Sequence, residues 1–468
     1  MKVNKHHHKN HKINTNAKQL SSGIWLYILR MKIYTLFLSI FIFIHFLGSP
    51  FSYAVEEPAE TFTLKHAVEM ALKANIALKI SKEEANTALA AEKKQKTNFF
   101  PTFNATYQYE YIDEEATMGT IVTGSQDEYT FISKVTQPIF TGFSLLNQYK
   151  IAKLGLDAAK INEKLKRLEI IFEAKKMFFS LLKAQKLLKI SQDTVTQITA
   201  QKEVAKNFYE VGMTPLNDLL QAKVELANSK QELISAQNNL EIAKSNFNIL
   251  LRRPINEAVN LEDVLNYTPF EHDIDYCFEM AEKNRLELKI ADLEIEIAEK
   301  EVRLAQKDYY PSINLEGSYF KRGTEWDVNG GDYIYDPEGW TIAAIASWDF
   351  WEWGRSTYGV KEKQSRLSQA HYQKTETLDN IRIGVKQAYL NTLESEKNIA
   401  TVKEAIEQAK ENFRINKERY KEQIATSTDV LDAQTLLSRT TTNYYKALYD
   451  FKIAKASLYK AMGQEVME

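Results

Sequence analysis

Apolar positions recur at helical spacing through residues 64–98 and again through 273–308, among Ala, Glu, Lys and Leu. Each run stops at an aromatic-Pro pair, Phe100-Pro101 or Tyr310-Pro311, where proline cannot continue a helix. The period then changes to two. Phe103, Ala105, Tyr107, Tyr109 and Tyr111 fall on one face of a predicted strand, with Asn104, Thr106, Gln108 and Glu110 on the other. After a polar loop holding Gly119 and Gly124, a second strand is predicted from Tyr129 to Phe140. The later part of the chain repeats this with strands at Ile313–Phe320 and Trp340–Phe350 around a loop holding Gly323, Gly330 and Gly331.

Beyond each strand pair a helical pattern runs without proline over 143–211 and 355–422. At 1.5 Å per residue, each would be roughly 100 Å long. A turn, containing Gly212 and Pro215 in the first case, leads into return helices over 218–251 and 429–462. The return is half as long as the descent. In the first half the remaining length is expected from the following segment, 273–308, with Pro254 and Pro269 bracketing the connection.

The chain matches itself. EMALKANIALKI at 69–80 and EMAEKNRLELKI at 279–290 share seven of twelve residues at an offset of 210. Tyr209, Asp218, Leu220 and Ala222 answer Tyr420, Asp429, Leu431 and Ala433 at an offset of 211. A separation this constant predicts a tandem repeat. The expected organisation is 1–54 as a leader, 55–268 as a first repeat and 269–468 as a second.

Residues 1–54 hold seven Lys and Arg, no acidic residue and five of the eight histidines. Within them, Met31-Lys32, the apolar stretch Ile33–Leu47 and the small-residue end Ser52-Tyr53-Ala54 have the layout of a secretory signal peptide cut after Ala54. A membrane anchor is the competing reading, but about 15 apolar residues fall short of the roughly 20 that a spanning helix needs. His6, His7, His8 and His11 precede this segment and read as an extended n-region or an over-extended start rather than a metal tract.

From Val55 onward the balance is 53 basic against 62 acidic residues, a net of −9, which argues against nucleic acid as a partner. One cysteine, Cys277, cannot pair within a chain. His66, His272 and His371 are too scattered for a transition-metal site. No glycine-rich phosphate loop or nucleophile motif is present, so no cofactor and no enzyme activity are expected.

The alternating segments have the 9 to 11 residues of a membrane strand. Trp340, Trp348, Trp351 and Trp353 crowd the last strand and its exit, the position of an interfacial girdle on a transmembrane β-barrel. A soluble sheet packed on helices fits the strands equally well. The export signal and helix length favour the membrane. Four strands cannot close a barrel, so several copies would have to join; two give eight strands and three give twelve.

The repeat, the aromatic-Pro helix ends and the tip motifs Tyr209–Ala222 and Tyr420–Ala433 together resemble the TolC family of bacterial outer-membrane efflux and secretion ducts. The resemblance implies a mainly helical homotrimer. Each protomer would give four strands to a barrel in outer-membrane lipid and helices to a long periplasmic tunnel. It also implies a periplasmic adaptor protein that docks near the tips, here around Gly212 and Gln423, and an energised inner-membrane transporter. Gln423 stands where the family has glycine, so the second tip is expected to turn or dock differently. Ala425 stands where the family has arginine, which removes one closing ion pair.

Asp429 and Asp432 share a helix face. By spacing they are either cap residues, after Thr426, Ser427 and Thr428, or a pair of functional carboxylates. By resemblance they fall at the rings of a periplasmic gate, while Asp218 and Tyr420 fall where the family makes a closing hydrogen bond. The expected function is a passive exit duct of a tripartite efflux pump or type I secretion system in a Gram-negative type envelope. The alternative is an exported coiled-coil structural or adhesion protein with a soluble β head.

Overall fold

The computed structural model of the chain describes residues 61–264 and 267–466; the segment read as an export signal lies outside the described residues. The expected mixture, mainly helical with a small antiparallel sheet, is what the structure has.

A two-residue strand β1 (Thr61–Phe62) opens the described chain, followed by α1 (Leu64–Ala74) and α2 (Ile76–Thr97). Strand β2 (Thr102–Tyr111), a small ribbon of β3 (Thr117–Met118) and β4 (Ile121–Val122), and β5 (Asp127–Thr141) come next. Helix α3 (Ser144–Glu210) descends, α4 (Leu216–Leu251) returns, and β6 (Asn260–Leu261) lies in the connection. The second half gives α5 (Ile274–Asn284), α6 (Leu286–Ala305), β7 (Ser312–Gly323), β8 (Glu338–Ser347), α7 (Arg355–Lys421) and α8 (Ser427–Ala461).

The long helices end within about a residue of expectation. In α7 the buried positions Ile381, Val385, Ala388, Thr392, Ile399 and Ile406 follow a period near 3.5, the seam of a left-handed coiled coil. The helices expected as unbroken over 64–98 and 273–308 are each interrupted at one extended residue, Asn75 (ψ 128°) and Arg285 (ψ 120°), which stand 210 apart. Asn75 makes its break good by accepting the Ala77 amide at 2.8 Å. Arg285 holds Glu287 and donates to the Ala461 carbonyl at 3.3 Å.

At the upper level α2, α3, α6 and α7 lie side by side in that order; at the lower level the order is α4, α3, α8, α7. The return helix α4 therefore lies below α1 and α2, and α8 below α5 and α6. This corrects the expected pairing of α4 with the following segment. The cores give the reason. Ala67, Val68 and Ala71 of α1 pack with Phe178 and Leu181 of α3 and Phe247 and Leu251 of α4, whereas Cys277 and Ala281 of α5 pack with Val385 of α7 and Leu458 of α8. Phe62, only 1% exposed, is held in the first of these cores by parallel pairing of β1 with β6, with the Arg253 guanidinium 4.8 Å above its ring.

The sheet runs β2-β5-β7-β8, antiparallel throughout. Its register sorts the side chains. Phe103, Tyr107, Phe131, Val135, Leu315, Tyr319, Trp340 and Ile342 share one face, while Asn104, Gln108, Lys134, Glu316, Ser318 and Thr341 share the other. On the polar face Lys134 pairs with Glu316 at 2.7 Å, and Ser318 meets Thr341 at 2.7 Å. Among the described residues the outer edges of β2 and β8 have no partner. Each strand-to-helix corner uses two left-handed residues: Gly142 (φ 60°) with Phe143 (φ 64°), and Trp353 (φ 52°) with Gly354 (φ 83°). A Cβ at Gly142 would lie 2.4 Å from the Lys307 carbonyl oxygen, so glycine is required there.

Candidate functional site: the helix tips and the sheet

The two helical hairpins turn at 211–215 and 422–426. Gly212 takes φ 75° and Gln423 φ 61°, and both turns close alike. The Gly212 amide bonds to Tyr209 and Met213 to Phe208; the Gln423 amide bonds to Tyr420 and Ile424 to Arg419. The second tip thus turns as the first does, so the different turn, one of the two expected departures, is not made, because Gln423 accepts the left-handed conformation that glycine takes freely. Both residues are exposed.

Below the turns the return helices start differently. Thr426 caps α8, its hydroxyl accepting from the Asp429 amide, while the Asp429 carboxylate takes the Thr426 amide and hydroxyl, both at 2.8 Å. These bonds hold the Asp429 carboxyl below its ordinary value. Asp429 therefore serves as a cap residue in the protomer, and it is exposed like Asp432 one turn on. In the first hairpin Pro215 occupies the N-cap and offers no N–H to an acid three residues later.

Asp218, nine-tenths buried, crosses instead to the other hairpin and accepts the Ser427 amide at 3.4 Å. Thr428 donates to Gln221 at 2.7 Å and Thr435 to Glu225 at 3.2 Å along the same seam. Ile198, Ala205, Ala222 and Leu431 form the small apolar core there. Tyr420 is buried against Phe208, ring centroids 5.4 Å apart, but its hydroxyl has no hydrogen-bond partner. The expected Asp218–Tyr420 hydrogen bond is thus not made: the Asp218 carboxylate is spent on the helix N-terminus of α8. Burial pushes the Tyr420 phenol up, and the Asp218 charge adds to it.

Gln201 Nε2, Thr214 Oγ1, Ser427 Oγ and Gln434 Oε1 join Tyr420 Oη as buried side-chain atoms without a hydrogen bond, so among the described residues these orphans gather at the tips. Above the tip contacts the hairpins part around a polar groove of about 1000 Å³, with Lys183, Glu225, Glu232, Arg439 and Lys446 in its walls.

At the far end, Trp340 lies near the start of β8, while Trp348, Trp351 and Trp353 follow its end at Ser347. All four indoles are more than half exposed. Sequence reasoning read Ser427 only as a cap-type residue and missed the part that it, Gln221 and Glu225 take in the seam between the hairpins. The available signal was the difference between Pro215 and Thr426, which leaves one of two matched aspartates without a local partner.

A segregated four-strand sheet, open at both edges and standing on columns roughly 100 Å long, defines the class of outer-membrane efflux channels. A family model described as outer membrane efflux protein matches residues 67–250 and again 278–464, and the chain belongs to that TolC-like family, which is one of channels rather than enzymes. Among curated proteins it is similar to nodulation protein T of Rhizobium leguminosarum bv. trifolii, 21% identical over 314 residues, which are 67% of each chain. Its fold is that of the Campylobacter jejuni CmeC outer membrane channel (18% identity, TM-score 0.77, covering 86% of this chain and 85% of that one). It is also that of VceC from Vibrio cholerae (18%, TM-score 0.74, 86% and 96%).

Proposed function

We propose that the chain is the passive exit duct of a tripartite efflux pump or type I secretion system, spanning the outer membrane as a homotrimer and reaching through the periplasm. The observation that carries this reading is the sheet. One face is mostly aromatic and aliphatic, the other mostly polar, and among the described residues both edges are unpaired, which in lipid would strand backbone donors and acceptors unless copies joined. Trp340 near the start of β8 and Trp348 just past its end have the same parity, and eight residues of extended chain tilted by roughly 40° would set them about 20 Å apart along the membrane normal. They and Trp351 and Trp353 serve as interfacial aromatics. The tips act as the gate: Asp218 ties the hairpins together, and Asp429 and Asp432 project from each copy toward a common axis, where converging carboxylates invite cations. Gly212 and Gln423 offer the adaptor its contact, and an inner-membrane transporter supplies the energy.

Conductance across planar bilayers tests this. The purified protein is expected to run as a heat-modifiable oligomer and to form channels blocked by divalent cations, with the block lost in Asp429→Ala plus Asp432→Ala. Persistent block in that variant would sink the gate assignment, and a monomer that forms no channel would favour an exported structural protein with a soluble head.

A further inference from the structure

The register of the two strand hairpins fixes how far apart their matched residues stand. Thr102 opposes Thr136, and Ser312 opposes Ser347; Ser312 lies 210 residues after Thr102, and Ser347 lies 211 after Thr136. The seam between the halves, β5 with β7, is also known: Ser133 opposes Tyr319, and Val135 opposes Gly317. Carrying each β5 residue forward by 211 lands it on β8, and carrying each β7 residue back by 210 lands it on β2. Ser133 becomes Ala344 and Tyr319 becomes Tyr109; Val135 becomes Ala346 and Gly317 becomes Tyr107.

We infer that β8 of one copy pairs antiparallel with β2 of a second copy of this chain in that register, with Ala344 opposite Tyr109, Ala346 opposite Tyr107 and Trp348 opposite Ala105. The inference rests on the oligomeric duct reading and adds to it the partner strand and the residue pairs.

Three features of the protomer agree with this register. First, strand ends: interior β5 runs to Thr141 and interior β7 to Gly323, whereas β8 stops at Ser347 and β2 at Tyr111. The extra β5 residues 137, 138, 140 and 141 lack a partner in their own hairpin and are paired only across the β5–β7 seam. Their counterparts in the second half, within 348–352, are the residues whose partner would come from the second copy. Second, parity: the transferred register puts Ile342, Ala344 and Ala346 beside Tyr111, Tyr109 and Tyr107, all on the apolar face. A slip of one residue would set them against polar Gln108 and Glu110. Third, volume: three of the four facing pairs, Ala344 with Tyr109, Ala346 with Tyr107 and Trp348 with Ala105, set an alanine against a large ring, the alternation that lets cross-strand neighbours fill a face without collision.

Disulfide trapping in the full-length chain tests the register. Cys277 is left in place, since it is fully buried and its thiol is pushed up to about 11 by burial, which keeps it unreactive. Ala344→Cys with Tyr109→Cys should oxidise to a covalent ladder of two and then three copies. Ala344→Cys paired with Tyr107→Cys or Tyr111→Cys should react roughly tenfold more slowly, because diagonal neighbours sit well beyond disulfide reach. Ser133→Cys with Tyr319→Cys is the internal reference and should close within one chain, giving no ladder. Ala346→Cys with Tyr107→Cys repeats the test independently of any one variant's folding. A faster ladder from a diagonal pair overturns the register and leaves the oligomer standing. No ladder from either direct pair, while the reference closes, overturns the β8–β2 seam; bilayer conductance then decides the duct reading separately.

Discussion

The Asp218 carboxylate accepts the backbone amide of Ser427, 209 residues further along the chain, at 3.4 Å, and so caps a helix that is not its own. Its counterpart Asp429 caps the helix it belongs to. The difference traces to one position: Thr426 offers an amide and a hydroxyl to Asp429, and Pro215 offers neither an N–H nor a hydroxyl to Asp218. A proline thereby turns a local cap into a tie between two hairpins.

Removing that tie should loosen the tip. Asp218→Ala leaves a buried amide at the start of α8 without its acceptor, at a cost of about 1–3 kcal/mol. Higher resting conductance in planar bilayers and faster hydrogen exchange at residues 427–430 are the expected results.

Tyr420→Phe should behave oppositely. The hydroxyl it deletes is buried and unbonded, so its loss should leave the resting conductance unchanged and the tip equally or more stable. If Tyr420→Phe opened the tip as far as Asp218→Ala, a direct bond between the two residues in the closed channel would be indicated.

The second turn carries a removable strain. Gln423 at φ 61° costs about 1 kcal/mol that glycine would not. Gln423→Gly should slow exchange at the Ile424 amide, and Gly212→Ala should speed it at Met213. A Cβ at Gly212 meets nothing within 4 Å, so that penalty is conformational alone.

Two titrations bound the pH range of the tip. Asp429 is held below its ordinary value of 3.8, so its cap contributes fully above that pH and is lost as pH falls through the lower folded value. Tyr420 is raised above 10.0, so folding favours the neutral phenol, and stability falls as pH rises past 10 toward the folded value. Exchange protection at 427–430 should be flat between pH 5 and 9 and should fall only outside that window.

The waist depends on Phe62. Phe62→Ala empties a site 1% exposed and should cost about 3–5 kcal/mol, read as a lower midpoint in circular-dichroism unfolding of the helices.

Much of this was legible in the chain because long-range order here follows from local pattern. The absence of proline from 143–211 and 355–422 gave α3 and α7 almost to the residue, and period-two alternation gave the four strands. What failed needed contacts. The interruptions at Asn75 and Arg285 do not disturb the helical pattern of apolar residues, and only Asn75 carries a cap-type side chain as a hint. The end of β8 was read as Phe350 because the sequence keeps alternating, yet a strand without a partner there stops at Ser347. The Asp218–Ser427 bond joins residues far apart in sequence and left no local trace except Pro215.

The change of offset from 210 to 211 falls between matched positions Lys321 and Glu338, within the connection that joins β7 to β8. Had the extra residue entered a strand, every side chain beyond it would have changed faces; had it entered α3 or α7, the seam of the column would have rotated by about 100°. Placed in that connection it disturbs neither. The turn between strands is thus where the chain can lengthen or shorten freely, and where related ducts can differ in what they present at that end of the sheet while keeping the column beneath in step.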